Sequence, residues 1–427
     1  MNQTPNTQTR ELKIALTIPT GRPNVTRVVD SFLKNAEFYG YDPGQFSVYL
    51  SIDLAYQDKR PEDFRLGEEV ERRVKKIEYI FENQRRDFAL RTVSESEVDP
   101  DLSKILFEGR GYSKQRNVAL LRAAEDGNDY AICFDDDEVP YTPVRKKSGK
   151  VQWFYPDFFT PHIRALSSGT DVTKGIVAGY FSPIPSDFET EIPKEIRRRL
   201  GAALKLGNEV VDESSFLDLL VKQVRYATQT GLKYTGVKTP VLGNEYGKVV
   251  STGNMAINLD SLRKGKIPIF YTPPNARGED AIFGLQLQSV DVQEVRSYIF
   301  HDPFTLYPEA TKGELPDYLD PIPLLNDTVA RFSSALTGWL RYAPILIAMM
   351  TPSRQERCKR IDKMTRMLEK PTSMIAKILN LPELESSCEI LRTYSNNVDD
   401  HLNELCWAQK TWRNKIAPCL ESRVLVG

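Results

Sequence analysis

The sequence has little of what staples a small fold or builds a soft metal site. Its five cysteines (Cys133, Cys358, Cys388, Cys406 and Cys419) show no C-x-x-C spacing. That argues against a zinc site and a disulfide framework, and leaves reduced thiols in a cytoplasm as the expectation. An excess of one charge is missing too. With 57 basic and 58 acidic residues the formal net charge is -1, so electrostatics gives no case for nucleic acid or an anionic membrane as partner. Local basic runs at 145–147, 197–199 and 354–360 read as solvated faces. No apolar run reaches the roughly 20 residues of a membrane span. The longest, near Gly338–Met350, is interrupted by Arg341 and Pro344 and reads as a core or interface helix. The polar residues 1–11 lack the apolar centre of a signal peptide. No internal repeat or low-complexity tract is present.

What is there suits a globular protein. Hydrophobic residues make up 41% of 427, enough for a sizeable core, and the length favours one large domain with an appendage. Leu12–Ile18 is an apolar run of strand length stopped by Pro19. Asn24 stands where it would cap a helix carrying Val25, Val28, Val29, Phe32 and Ala36. Phe46–Ile52 alternates as a strand ending at Asp53. Val70, Val74, Ile77 and Phe81 predict an amphipathic helix, and Phe88–Val93 a short strand. Ser113 is placed to cap a helix that runs to Ala124 and closes at Gly127. Tyr130–Phe134 is a buried-strand run ending in Asp135, Asp136 and Asp137. This alternation predicts an α/β fold with a mostly parallel sheet. Ligands bind at the carboxyl ends of such strands, where Thr20, Asp53 and the acidic triplet fall.

From Glu138 to Tyr246 the signal is weaker: a strand at Ile176–Phe181, a helix at Phe216–Thr228, and a mobile connection through Pro183, Pro185 and the charged run Ile192–Leu200. Regularity returns over Lys248–Leu262, the Pro-rich Lys266–Ala276, a helix from Glu279 and a strand at Val295–Phe300. Beyond Asp320 the pattern is helical: Val329–Leu340, Arg354–Leu368, Thr372–Ile378 and Glu404–Lys415. The expected division is a catalytic domain over 1–320 and a helical C-terminal domain over 321–427, whose apolar stripes offer a route to a homo-oligomer.

Three adjacent carboxylates repel one another and are best tolerated where a cation or hydrogen-bond donors compensate them. Mg²⁺ and Mn²⁺ favour such oxygen ligands and share them with substrate phosphates. An acidic triplet alone equally suits a helix cap or a solvated loop. The surrounding residues narrow this. GYSKQRNVALL from Gly111 and DYAICFDDD from Asp129 to Asp137 resemble the G-x-S-x-x-R-N and D-x-D arrangement of GT-A-fold, family-2-like glycosyltransferases. IPTGRP over 18–23, GNMA over 253–256 and GEDAIFG over 278–284 are similar to three further segments of that family, in the same order. The resemblance covers roughly residues 12–303 and leaves the helical C-terminus unmatched.

The resemblance implies roles residue by residue. Pro19, Thr20 and Arg22 line the nucleotide pocket, and Asp53 accepts a hydrogen bond from the base; a turn residue after a strand is the other reading of Asp53. Arg116 and Asn117 face the nucleotide, Arg116 neutralising diphosphate or else forming a surface ion pair. Asp135 contacts ribose or metal, Asp137 binds the metal, and Asp136 is the weakest ligand of the three. His301 completes the Mn²⁺ or Mg²⁺ site, while His162 and His401 are structural. Gly253, Asn254 and Met255 belong to the acceptor region. Asp280 is the general base and Glu279 binds the acceptor, although two carboxylates opening a helix are also stabilised by its dipole. The implied reaction moves a hexose from a UDP- or GDP-sugar to a hydroxyl acceptor, with inversion. The alternatives are a retaining enzyme with a small hydroxy-acid acceptor, similar to mannosylglycerate synthase; a sugar nucleotidylyltransferase, disfavoured by the single glycine in Thr17–Pro23; and an inactive nucleotide-sugar-binding protein.

Overall fold

Every residue of β1 (Ile14–Thr20) and β2 (Phe46–Ile52) is buried. The alternation in β2 therefore does not mark a wet face: Ser47 and Ser51 are small enough to pack inside a sheet covered on both sides. The computed structural model describes residues 12–180, 185, 188–207, 224–233, 238–239 and 247–426. Its main sheet continues through β3 (Lys76–Ile80), β4 (Tyr130–Cys133), β5 (Glu138–Val139), β8 (Val172–Tyr180), β9 (Val224–Arg225), β10 (Met255–Asn258) and β11 (Val292–His301), and a hairpin of β6 (Thr142–Arg145) and β7 (Val151–Phe154) stands apart. The order is β3-β2-β1-β4-β10-β8-β11-β5, with β9 beside β8. Only β10, β5 and β9 run against the shared direction of the other strands, so the mixed sheet is mostly parallel, as expected.

Several local expectations change. β1 runs through Pro19, because its ladder with β4 ends at Thr17 while that with β2 continues to Thr20. A flank with no partner tolerates a missing N–H. Asn24 has helical angles and makes no side-chain cap. The helix expected over 70–81 is a short helix, Glu68–Arg73, followed by the edge strand β3; the four-residue step from Ile77 to Phe81 suits either period. Phe88–Val93 lies inside helix Glu82–Ser96, where Phe88, Ala89 and Thr92 form one buried face. Gly111, not Ser113, occupies the cap of helix Tyr112–Glu125, with φ +125°. The charged run Ile192–Leu200 leads into helix Lys194–Gly207, whose Leu200, Ala203 and Leu204 pack with Leu336, Leu340 and Met364. Most of the expected Phe216–Thr228 helix, and Pro183, lie outside the described residues.

The C-terminal chain forms helices Asn326–Met350, Arg354–Leu379, Ser387–Asn396, Val398–Thr411 and Ala417–Val426. Pro371 sits within the second, which is unbroken where two helices were expected. These helices share the core: Trp412, Ile416 and Leu420 belong to one apolar cluster with Ala131, Ile257 and Phe283. Among the described residues no helix is long and apolar enough to cross a membrane. Pro344 and its neighbours from Leu340 to Ile347 are mostly buried against protein.

Candidate active site

The parallel strands bring their carboxyl ends to one edge. Thr20 ends β1, Asp53 follows β2, the triplet follows β4, and His301 ends β11. Antiparallel β10 starts at this edge, because Met255 pairs with Cys133. Gly253 and Asn254 therefore arrive there from the opposite direction.

Within the triplet the carboxylates are held differently, although Arg22 reaches both Asp136 and Asp137. Asp136, buried, accepts from the Thr20 hydroxyl at 2.7 Å and the Gly21 amide at 3.2 Å. Burial pushes its carboxyl up to about 6, against the pull of Arg22. Asp136 thus ties the triplet to the end of β1, in keeping with its weak claim as a ligand. Asp135 is 2.7 Å from Arg116 Nη2. Asp137 is 2.6 Å from Arg22 Nη1 and 3.5 Å from His301 Nε2. Burial raises its carboxyl, but His301 and Arg22 outweigh burial and hold it below the usual range.

The ring of His301 is oriented by its other nitrogen. Nδ1 lies 2.5 Å from the Tyr180 carbonyl. A carbonyl only accepts, so Nδ1 carries a proton and Nε2 is the ring nitrogen turned toward Asp137. Two donors 3.5 Å apart can share one cation. Asp135 does not join them, because Arg116 holds it. Among the described residues no group of three or more His, Cys, Asp or Glu side chains is arranged to hold a metal. The donor set fits a cation with Asp137 and His301 as protein ligands and phosphates and water in its other positions, which suits Mg²⁺ and Mn²⁺.

Glu279 and Asp280 open helix Glu279–Gln286 as expected. Asp280 is half-buried, and its Oδ1 accepts from the Thr252 hydroxyl at 2.5 Å. Burial and the charge of Glu279 push its carboxyl up to about 7, with Arg116 opposing. Arg116 is 4% exposed, so the ion pair considered for it is half-buried, with a buried guanidinium standing electrostatically between Asp135 and Asp280.

An open cleft of about 390 Å³ lies beside these groups, walled by Thr20, Gly21, Asp53 and Tyr56, by residues 110–112 with Lys114 and Gln115, and by Thr272–Arg277 with Glu279. Arg110, Lys114 and Arg277 outnumber Asp53 and Glu279 on its walls and leave the lining cationic on balance. Asp53 lines it while its Oδ1 accepts from the Ala55 amide at 3.0 Å, so it is a turn residue that also faces the cleft. Gln115 is 3% exposed, and its Oε1 has no hydrogen-bond partner among the described residues.

Of the expected residues Thr20, Asp53 and Glu279 line the cleft, whereas Arg22, Arg116, the triplet, Asp280 and His301 do not. Asn117 is a clamp, donating to the carbonyls of Leu106 (3.1 Å) and Phe270 (2.9 Å) and accepting from the Phe270 amide (2.9 Å); it does not face a nucleotide. Asn254 and Met255 are fully buried. The Asn254 amide donates to the carbonyls of Ile176 and Ser297 and accepts from His162 Nε2, cross-linking β8, β10 and β11. His162 is structural, as expected, and burial pushes it down to about 4. Pro19 is buried in β1. Gly253 is needed for space: a Cβ there would lie 2.2 Å from Glu138 Oε1. Sequence reasoning overlooked Glu138, which is 2% exposed, accepts from the Asp135 amide at 2.7 Å, and is held well above the usual carboxylate range by burial and by Asp135 and Asp137. Its position directly after the triplet was the available signal.

No family model and no curated protein matches the chain. Among solved structures it is similar to residues 1–349 of S. aureus TarS, with 12% identity, coverage of 91% of this chain and 92% of that one, and a TM-score of 0.36. It is also similar to the mannosyltransferase PcManGT from Pyrobaculum calidifontis in complex with GDP-Man and Mn²⁺, with 11% identity, coverage of 91% and 88%, and a TM-score of 0.36.

Proposed function

We propose that the chain is a divalent-cation-dependent glycosyltransferase that moves a hexose from a UDP- or GDP-sugar to a hydroxyl acceptor with inversion. The observation that carries this reading is the pairing, at one strand edge, of two kinds of group. His301 is oriented by the Tyr180 carbonyl so that Nε2 meets Asp137, and Asp280 sits behind Arg116 with its carboxyl raised to about 7. A carboxylate titrating near neutral pH suits general-base work. Thr252 occupies Oδ1 of Asp280, which leaves Oδ2 to take the acceptor proton. Arg116 keeps the charges of Asp135 and Asp280 compatible. The cationic cleft lining suits a diphosphate. Asp137 and His301 would hold the cation, whose chemistry is to offset negative charge on the leaving diphosphate.

The test is a panel of UDP- and GDP-sugars assayed for nucleoside diphosphate release with Mn²⁺, Mg²⁺ or EDTA. Release from one donor class, abolished by EDTA and restored by Mn²⁺ or Mg²⁺, is the expected result. One observation favours a second reading. Arg22 and Arg116 already compensate the triplet, an arrangement that also suits a transferase needing no metal. Undiminished release in EDTA would decide for it.

A further inference from the structure

Helix Asn326–Met350 belongs to the part of the chain that resembles nothing in the catalytic pattern, yet it runs along the site. Gly338 meets the aliphatic stem of Arg277, and Tyr342 packs where a Cβ on Gly278 would stand. Roughly 16 Å back along the helix from Tyr342, Arg331 donates from Nη1 to the Pro303 carbonyl, and its guanidinium lies 4.7 Å from the ring centroid of Phe304. That loop follows His301 directly, and its Asp302 amide donates to the Asp137 carbonyl at 2.8 Å. Arg331 is thus fastened to the segment joining the two residues assigned to the cation.

Its charge is met at longer range by Asp137, which Arg22 already holds. Among the described residues no carboxylate lies within ion-pair distance of it. The groups acting on it electrostatically are Arg22, Tyr56, Asp137 and Tyr112, and burial with the like charge of Arg22 lowers its proton affinity. Two guanidiniums that share one carboxylate are left short of an anion once that carboxylate holds a cation. One N–H rests on Pro303, and a guanidinium has five.

We propose that Arg331, with Arg22, binds the diphosphate of the donor, so that the C-terminal helix supplies a substrate-contacting residue beside Asp137 and His301. This rests on the nucleotide-sugar reading above and adds to it a catalytic role for a part of the chain outside the family-like segments. An arginine fork matches a phosphate in a way that lysine does not.

The test is calorimetric binding of UDP, UMP, GDP and GMP, with Mn²⁺, to the wild-type chain and to Arg331→Ala and Arg331→Lys. The wild type should prefer the diphosphate of one base over its monophosphate. Arg331→Ala should lose roughly tenfold or more of diphosphate affinity with monophosphate affinity unchanged, and Arg331→Lys should recover it only in part. Equal diphosphate affinity in all three proteins overturns the assignment. So does an equal loss for mono- and diphosphate, which would mark a loop disturbed rather than a contact removed. A wild type that binds none of the four overturns the nucleotide-sugar reading itself.

Discussion

Asp280 must be ionised to take a proton, yet its setting favours the neutral form. With the carboxyl raised to about 7 by burial and Glu279, turnover should rise with pH through that region. Asp280→Asn keeps the shape and removes the proton acceptor, and should cut turnover by about 10²–10⁴ while leaving donor affinity nearly unchanged. An α-linked donor should give a β-linked product; retention of configuration would reassign Asp280 to an acceptor contact. Stability carries the same signature. The folded state holds this proton more tightly than the unfolded chain, so the contribution of Asp280 is largest below about pH 4 and is lost as pH rises to about 7. Thermal melts of Asp280→Asn should therefore gain on the wild type with rising pH across that window. A constant difference would remove burial as the cause. The triplet offers a second contrast. Asp136 holds Thr20 and Gly21, so Asp136→Ala should lower the melting temperature more than it lowers Mn²⁺ affinity. Asp137→Ala should do the reverse, and equal effects at both positions would mean the two roles are misassigned.

At the scale of elements, contiguous patterns proved legible and tertiary couplings did not. β1, β2, β4 and β11 lie close to where the apolar runs place them, and the strand-end rule located Thr20, Asp53 and the triplet at one edge, where His301, assigned from the resemblance, also falls. Within the motif from Gly111 only Arg116 and Asn117 read as site residues, yet Asn117 serves the fold and Gln115 lines the cleft, because residues on successive positions of a helix point in different directions. Glu82–Ser96 was misread because its short apolar stretch fits either period. Nothing local marks the Tyr180 carbonyl as the orienter of His301, since that bond spans 121 positions. Gly278 joins the base motif to the C-terminal helix: its φ is +88°, and an added Cβ would stand 2.5 Å from the Tyr342 ring. Gly278→Ala should destabilise the protein by about 1–3 kcal/mol and lower turnover by shifting Asp280. Wild-type melting and kinetics would show that the loop relaxes freely.

For the whole molecule, the 1–320 and 321–427 division reflects sequence pattern more than packing. The wall of the cleft hangs on the C-terminal helices. Trp412 donates to the Ile267 carbonyl at 2.8 Å, Gln409 bonds both main-chain groups of Ile269, Glu404 accepts from Tyr271 at 2.8 Å, and Arg341 donates to the Asn275 carbonyl at 2.9 Å. Truncation after residue 320 would bare Ile267, Phe270 and Phe283 and should give aggregated protein; a soluble, active fragment would make the helical region an independent module. The central claim, that a cation on Asp137 and His301 meets a nucleotide-sugar diphosphate in this cleft, is tested most directly by anomalous diffraction from crystals grown with Mn²⁺ and UDP or GDP. The account predicts one Mn²⁺ peak within coordination distance of the Asp137 carboxylate, His301 Nε2 and the diphosphate. Nucleotide bound in the cleft with no Mn²⁺ at that position, or Mn²⁺ on other carboxylates, would contradict it.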